Sequence, residues 1–269
     1  MPRLFPALIL LFGPPAAGGP PAPTQEAARI FVHGGGVYAR LSNPPSQGSP
    51  ARSVPKAARD IYERAMKLSD AGKGRLAVAM LEEAIRLSPD YLDAHLATGN
   101  ELAKMSRFYE ATVAFERARR INPQDERVYH SFGMLLMRQK KYAIAAAVFG
   151  EASRLSPSNP LHPLSRAVAL IHHAHTIKPA ASERAAADRR YFLGAAEQLL
   201  AKVAALGNSQ LRADHLSMAL FYEMKGERAR AADELEQFLR QSPRPQNEAA
   251  VRDAIEKLRR PIGEVNIPP

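Results

Sequence analysis

Residues 92–125 read LDAHLATGNELAKMSRFYEATVAFERARRINPQD, and residues 126–159 read ERVYHSFGMLLMRQKKYAIAAAVFGEASRLSPSN. Laid one over the other, Gly99 falls on Gly133, Leu102 on Leu136, Ala111 on Ala145, and Phe115 on Phe149. Ala118 falls likewise on Ala152 and Pro123 on Pro157. The step is 34 residues, and it runs backwards to Ala65, Leu68, Ala77, Leu81, Ala84 and Pro89. Six registers that share one period mark an internal repeat. Within each period, two stretches of about 14 residues carry apolar residues at i, i+3, i+4 and i+7, the pattern of two amphipathic helices. In the quoted unit these lie at about 91–105 and 108–121, with Phe108, Ala111, Phe115 and Ala118 on one face of the second. Proline disfavours a helical residue before it, so Ser88-Pro89, Asn122-Pro123 and Ser156-Pro157 end each second helix. Ser106-Arg107 and Lys140-Lys141 stand where the first unit has Gly72, which predicts a tight turn between the helices. A single hairpin cannot bury its apolar face alone, so the units must stack.

This pattern resembles the tetratricopeptide repeat (TPR) family. The matching features are a small residue at position 8, a large apolar one at 11, Ala at 20, a large apolar one at 24, Ala at 27 and Pro at 32. Counted so, units start at Ala58, Leu92 and Glu126. The next matching proline, Pro243, lies 86 residues beyond Pro157, which is two periods plus 18. A fifth unit from Arg212 places Ala219, Tyr222, Gly226, Ala231 and Leu235 correctly. The fourth, from Pro160, must then hold the extra length, around 171–190. There Ser182-Glu183-Arg184 is expected to start a helix running to about Leu206, with Ala196, Leu200, Val203 and Leu206 inward. The insertion then forms a lengthened hairpin that protrudes or folds over the concave wall. Residues 246–260 read as a capping helix. The expectation is an all-α solenoid over residues 55–260, with about five units and a cap. Position 4, often Trp in the family, is Ile61, His95, Tyr129 and His215.

Outside the repeats the reading is coarser. Residues 1–18 order one positive charge, an apolar run from Leu4 to Phe12, and small residues at Ala16-Ala17-Gly18, as in a secretory signal. Residues 19–54 are a Pro/Gly-rich linker with little apolar surface to offset the entropy of ordering, and residues 261–269 a tail. The chain has 269 residues, a net charge of +10 and no Cys. No disulfide framework, thiolate nucleophile or Cys-ligated zinc is therefore available. The positive excess is spread thinly, with clusters no longer than pairs such as Arg119-Arg120, which speaks against nucleic acid as partner. No apolar run is long enough to span a bilayer. Neither a phosphate-binding glycine loop nor a G-x-S-x-G elbow occurs, so no catalytic residues and no cofactor are expected. Arg119 is read as facing solvent.

Two sets of residues remain as candidates for function. His172 and His175 lie one helical turn apart, a workable spacing for two zinc or copper ligands, which makes a metal-binding periplasmic module one alternative. His95, His130 and His215 read as half-buried helix-face residues. The resemblance implies that first-helix positions 2, 5, 9, 12 and 13 form a concave wall that binds a protein or peptide partner. In the second and third units these are Leu96, Asn100, Lys104, Arg127, His130, Met134, Met137 and Arg138; the fourth adds Leu164, Val168 and Ile171. Apolar residues on a face that the repeat does not need for its own core suit a peptide that is apolar in the middle, and the basic rim suits one acidic at one end. The resulting expectation is a non-catalytic scaffold in the cell envelope. A cytoplasmic co-chaperone is a further alternative, but Tyr62 and Met66 stand where such proteins carry Lys and Asn.

Overall fold

In the computed structural model the described residues are 54–205, 214–241 and 248–260. The signal, the linker up to residue 53 and the tail read from the sequence lie outside them, as do Leu206, Arg212 and Pro243. Among the described residues there are eleven α-helices and no strand. They form three hairpins and a further helix: α1 Lys56–Asp70 with α2 Gly74–Leu87, α3 Leu92–Lys104 with α4 Phe108–Ile121, α5 Glu126–Arg138 with α6 Tyr142–Leu155, then α7 Leu161–Thr176. After a short 3-10 turn at Pro179–Ala181 come α8 Glu183–Ala205, α9 His215–Lys225, α10 Arg228–Gln241 and α11 Glu248–Arg259. Two compact units divide this chain, with the boundary between Ala169 and Leu170.

In the first unit the 34-residue period becomes packing. A Cβ placed on Gly99 would come 2.5 Å from the Phe115 ring, and one on Gly133 would come 2.5 Å from Phe149. Glycine at position 8 therefore exists to admit a phenylalanine from position 24 of the same hairpin. Where position 8 is Ala65, position 24 is the smaller Leu81, and both are fully buried in one cluster. Helix backbones meet closely at the small residue, and the large one fills the space beside it.

The interhelix turns repeat as faithfully. Gly72, Ser106 and Lys140 have φ of 71°, 60° and 58°, the left-handed conformation that closes a helix C-terminus. Each turn donates its next backbone N–H back to the carbonyl five residues earlier, as Arg107 does to Leu102 at 2.9 Å. Ser106 and Lys140 carry a Cβ in that region, a conformation costing roughly 1 kcal/mol that the hairpin contacts must offset. The residues before the prolines are extended, Asn122 at φ −140° and ψ 96° among them. Position 4 has its own part in the fold. His95 Nε2 lies 2.8 Å from the Pro89 carbonyl, and Tyr129 Oη donates to that of Pro123 at 3.0 Å. A bulky group with a polar tip thus ties α3 and α5 to the end of the preceding unit, whereas Ile61 has no polar tip and His215 Nδ1 meets Glu234 of its own hairpin at 2.7 Å. His95 is buried rather than half-buried. Arg119 also departs from expectation. Its side chain is 13% exposed and donates to Glu116 at 3.0 Å, because position 28 faces the adjoining turn of helix more than solvent.

The second unit is built on the same plan. Ala219 and Leu235 repeat the Ala/Leu pairing, and Val251, Ala254 and Leu258 of α11 complete their cluster. Gly226 closes the α9–α10 turn at φ 80°. Arg228 fastens α11 by donating to the Lys257 and Leu258 carbonyls, at 2.5 and 3.1 Å. The 18-residue insertion is the 3-10 turn and the lengthened α8, whose Leu193, Ala196 and Val203 are buried while Leu200 is half-buried.

Candidate functional site

Three first helices of the first unit, α1, α3 and α5, present one face to a cleft of about 670 Å³. Residues spaced by four share a helix face, and here that rule lays down three stripes. Tyr62, Met66 and Asp70 come from α1, and Leu96, Asn100 and Lys104 from α3. Helix α5 supplies Glu126, His130, Met134 and Arg138, while Asn159, Leu161 and His162 close the far end.

Seven residues expected on the concave wall therefore line this cleft: Leu96, Asn100, Lys104, Arg127, His130, Met134 and Arg138. Met137, Leu164, Val168 and Ile171 do not. Leu164 is 6% and Ile171 0% exposed, and Val168 and Met137 are half-buried. Helix α7 is apolar around most of its circumference, and a helix of that kind is covered on more than one side. Tyr62, Met66, Asp70 and His162 are additions that the expected wall lacks. The first three are available from the sequence, since they hold positions 5, 9 and 13 of the first unit. His162 sits at position 3, which no groove rule selects.

The cleft's charges are partly spent. Arg127 is clamped between Asp93 at 2.8 Å and Asp125 at 2.7 Å, and both carboxylates push its pKa up. Lys104 donates to Glu101 at 2.6 Å, and Ser69 Oγ donates to the same Glu101 oxygen at 2.7 Å. Burial works to raise the Glu101 pKa, but the Lys104 and Ser69 hydrogen bonds together bring it below the usual value. Arg138 is different. Among the described residues it has no carboxylate partner, and its nearest acceptor is the Lys104 carbonyl at 3.5 Å. Met134 is 47% exposed, so a large apolar side chain stands open beside an uncompensated cation.

His130 and His162 meet at one end of the cleft, Nδ1 to Nδ1 at 3.3 Å, with the Phe149 ring 5.4 Å from that of His130. His162 Nε2 is buried without a partner. A buried N–H left unpaired is the rarer kind of orphan, so His162 carries its proton on Nδ1 and donates to His130 Nδ1. Burial, and less strongly the neighbouring His162, push the His130 pKa down to about 4. At neutral pH both imidazoles are uncharged, with the Glu126 side chain lining the same cleft.

The two histidines at metal-ligand spacing lie in the second unit, and His172 is committed otherwise. His172 is 8% exposed, with Nε2 at 3.2 Å from Ser217 Oγ. Ser217 Oγ donates to Asp214 Oδ2 at 2.6 Å, so His172 must donate to it through Nε2–H. Asp214 also caps α9 by accepting the Ser217 N–H at 2.9 Å. A serine, a histidine and an aspartate thus converge, but the hydroxyl proton points to the carboxylate and Ser217 is 1% exposed. That is helix-capping chemistry, not an activated nucleophile. His175 is half-buried, rather than displayed on an exposed insertion. Among the described residues no three His, Cys, Asp or Glu side chains are placed to hold a metal ion, and no helix is long and apolar enough to cross a membrane.

A cleft on stacked helical hairpins is what this geometry defines. The chain has the tetratricopeptide-repeat fold, an all-α solenoid of helical hairpins. PilW, described as a widely conserved type IV pilus biogenesis factor, is similar at 16% identity and a TM-score of 0.57, over 75% of this chain and 87% of that one. TTC0263, a TPR protein of Thermus thermophilus, gives 15% identity and 0.51, over 75% and 98%. PilF of Pseudomonas aeruginosa gives 17% and 0.50, over 75% and 89%. No protein-family model matches the chain, and no curated protein does so.

Proposed function

We propose that this chain is a non-catalytic adaptor that holds a peptide segment of a protein partner in the cleft of its first unit. The observation that carries this reading is Met134, open in the cleft beside Arg138, which has no carboxylate partner among the described residues, and unused by the core of its own repeat. Methionine is an adaptable contact for apolar side chains, and a cation without a carboxylate partner is ready to take one from a ligand. The test is selection from a random displayed-peptide library on the full chain. Peptides are expected to be recovered whose affinity falls at least about tenfold, roughly 1.4 kcal/mol, in Met134→Glu, which buries a charge against their apolar residues. Helicity is expected to be unchanged, because Met134 is exposed. Selected peptides indifferent to that variant would refute the cleft as the binding site.

We further propose that the adaptor works outside the cytoplasm, on the order of charge, apolar run and small residues at its start. Protein isolated from its source is then expected to have the mass of a chain cut near Gly18. Retention of Leu4–Phe12 would contradict export.

A further inference from the structure

The three stripes of the cleft cross-align into zones. Position 5 gives Tyr62, Leu96 and His130, an aromatic and apolar zone at neutral pH. Position 13 gives Asp70, Lys104 and Arg138, a charged zone whose middle is already neutral because Glu101 occupies Lys104. Asp70 and Arg138 are exposed and make no ion pair among the described residues, so the charged zone has an anion at one end and a cation at the other. Between the two zones runs position 9, where Asn100 is exposed in the cleft, flanked by Met66 and Met134.

We propose that the cleft accepts an extended segment in which apolar and polar residues alternate, with a basic residue over Asp70 and an acidic one over Arg138. This rests on the reading of the cleft as a peptide site. Positions 5 and 13 are about 12 Å apart along a helix. An extended chain lying across α1, α3 and α5 sends successive side chains to opposite sides, one set to each zone. Its backbone then passes over Asn100, whose carboxamide can donate to a peptide carbonyl and accept from a peptide N–H. A helical ligand would bring no free backbone groups to that amide, since its own hydrogen bonds are internal. Neighbouring helices pack 8–10 Å apart, so Asp70 and Arg138 are roughly 16–20 Å from each other. At about 3.3 Å per residue that span is about five to six residues, and the six-residue spacing, being even, is the one that keeps both charges on one side of the strand.

The experiment uses a fluorescein-labelled probe, Lys-Leu-Ser-Leu-Ser-Leu-Glu with blocked ends, titrated against the full chain by fluorescence anisotropy. It is expected to bind about tenfold more tightly than Lys-Ser-Leu-Leu-Leu-Ser-Glu, which has the same composition without the alternation. A probe ending in Lys instead of Glu is expected to lose about fivefold, and the Arg138→Glu chain to recover that loss. Equal binding of the alternating probe and the non-alternating one would overturn the proposal, as would a Lys-ended probe that Arg138→Glu fails to rescue. The two readings fail differently. If library-selected peptides depend on Met134 but the alternating probe has no advantage, only the strand pattern is wrong. If Met134→Glu leaves the alternating probe at full affinity, the cleft itself is wrong.

Discussion

Acidification from pH 7.5 to pH 5 is expected to lower the melting temperature by roughly 10 °C. The cause is burial of neutral histidine. His130 and His172 have pKa values of about 4 in the folded chain, each depressed mainly by burial, against an ordinary value of 6.5. For groups with a depressed histidine pKa the unfolded chain binds more protons, so stability rises with pH across the gap. The stabilisation is complete above about pH 6.5 and is lost as pH falls towards 4. At pH 5 the two groups account for about 2 kcal/mol each, and a chain of this size loses about 2–4 °C per kcal/mol. His95, His162, His173 and His175 are shifted in the same direction, also by burial, and add to the slope. Calorimetry across that range reads the effect, and His172→Gln is expected to flatten it. A melting temperature constant between pH 7.5 and 5 would contradict the burial described for these rings.

The second large effect concerns the glycine beneath Phe115. Gly99→Ala gains about 1 kcal/mol of helix propensity, yet the added methyl would overlap the ring. Overpacking of that kind costs about 1–3 kcal/mol, with the upper half expected here because the ring is fully buried. Phe115→Leu alone leaves a void and costs about 1–2 kcal/mol. The double variant re-creates the Ala65/Leu81 and Ala219/Leu235 pairings that the chain already uses, so it is expected to be more stable than either single change. Urea melts of the three variants measure the coupling. Simple additivity would show that positions 8 and 24 are not one packing unit.

That pairing shows how much is legible in advance. The 34-residue period places the hairpins, the turns at Gly72, Ser106 and Lys140, and the Ala and Gly positions, because each reports a local steric requirement repeated in register. The cleft is half legible. Helical geometry puts positions 5, 9 and 13 on one face, the resemblance says which face is concave, and Leu96, Asn100, Lys104, His130, Met134 and Arg138 line the cleft accordingly. The same rule carried into α7 fails for Leu164, Val168 and Ile171, since the 18-residue insertion breaks the repeat there and a helix apolar around most of its circumference is covered on more than one side. Ion pairing is not legible at all. That Arg127 and Lys104 are already neutralised by Asp93, Asp125 and Glu101 depends on partners up to 34 residues away. Only those contacts distinguish Arg138 from its neighbours.

The cleft as the binding surface is tested most directly by methyl spectra of the full chain labelled at methionine, recorded with and without a library-selected peptide. Met66 and Met134 line the cleft, whereas Met218 and Met224 belong to the second unit. Binding is predicted to shift the Met66 and Met134 methyl resonances together, saturating at one peptide per chain, with Met218 and Met224 unmoved. Saturable shifts confined to Met218 and Met224 would contradict the account.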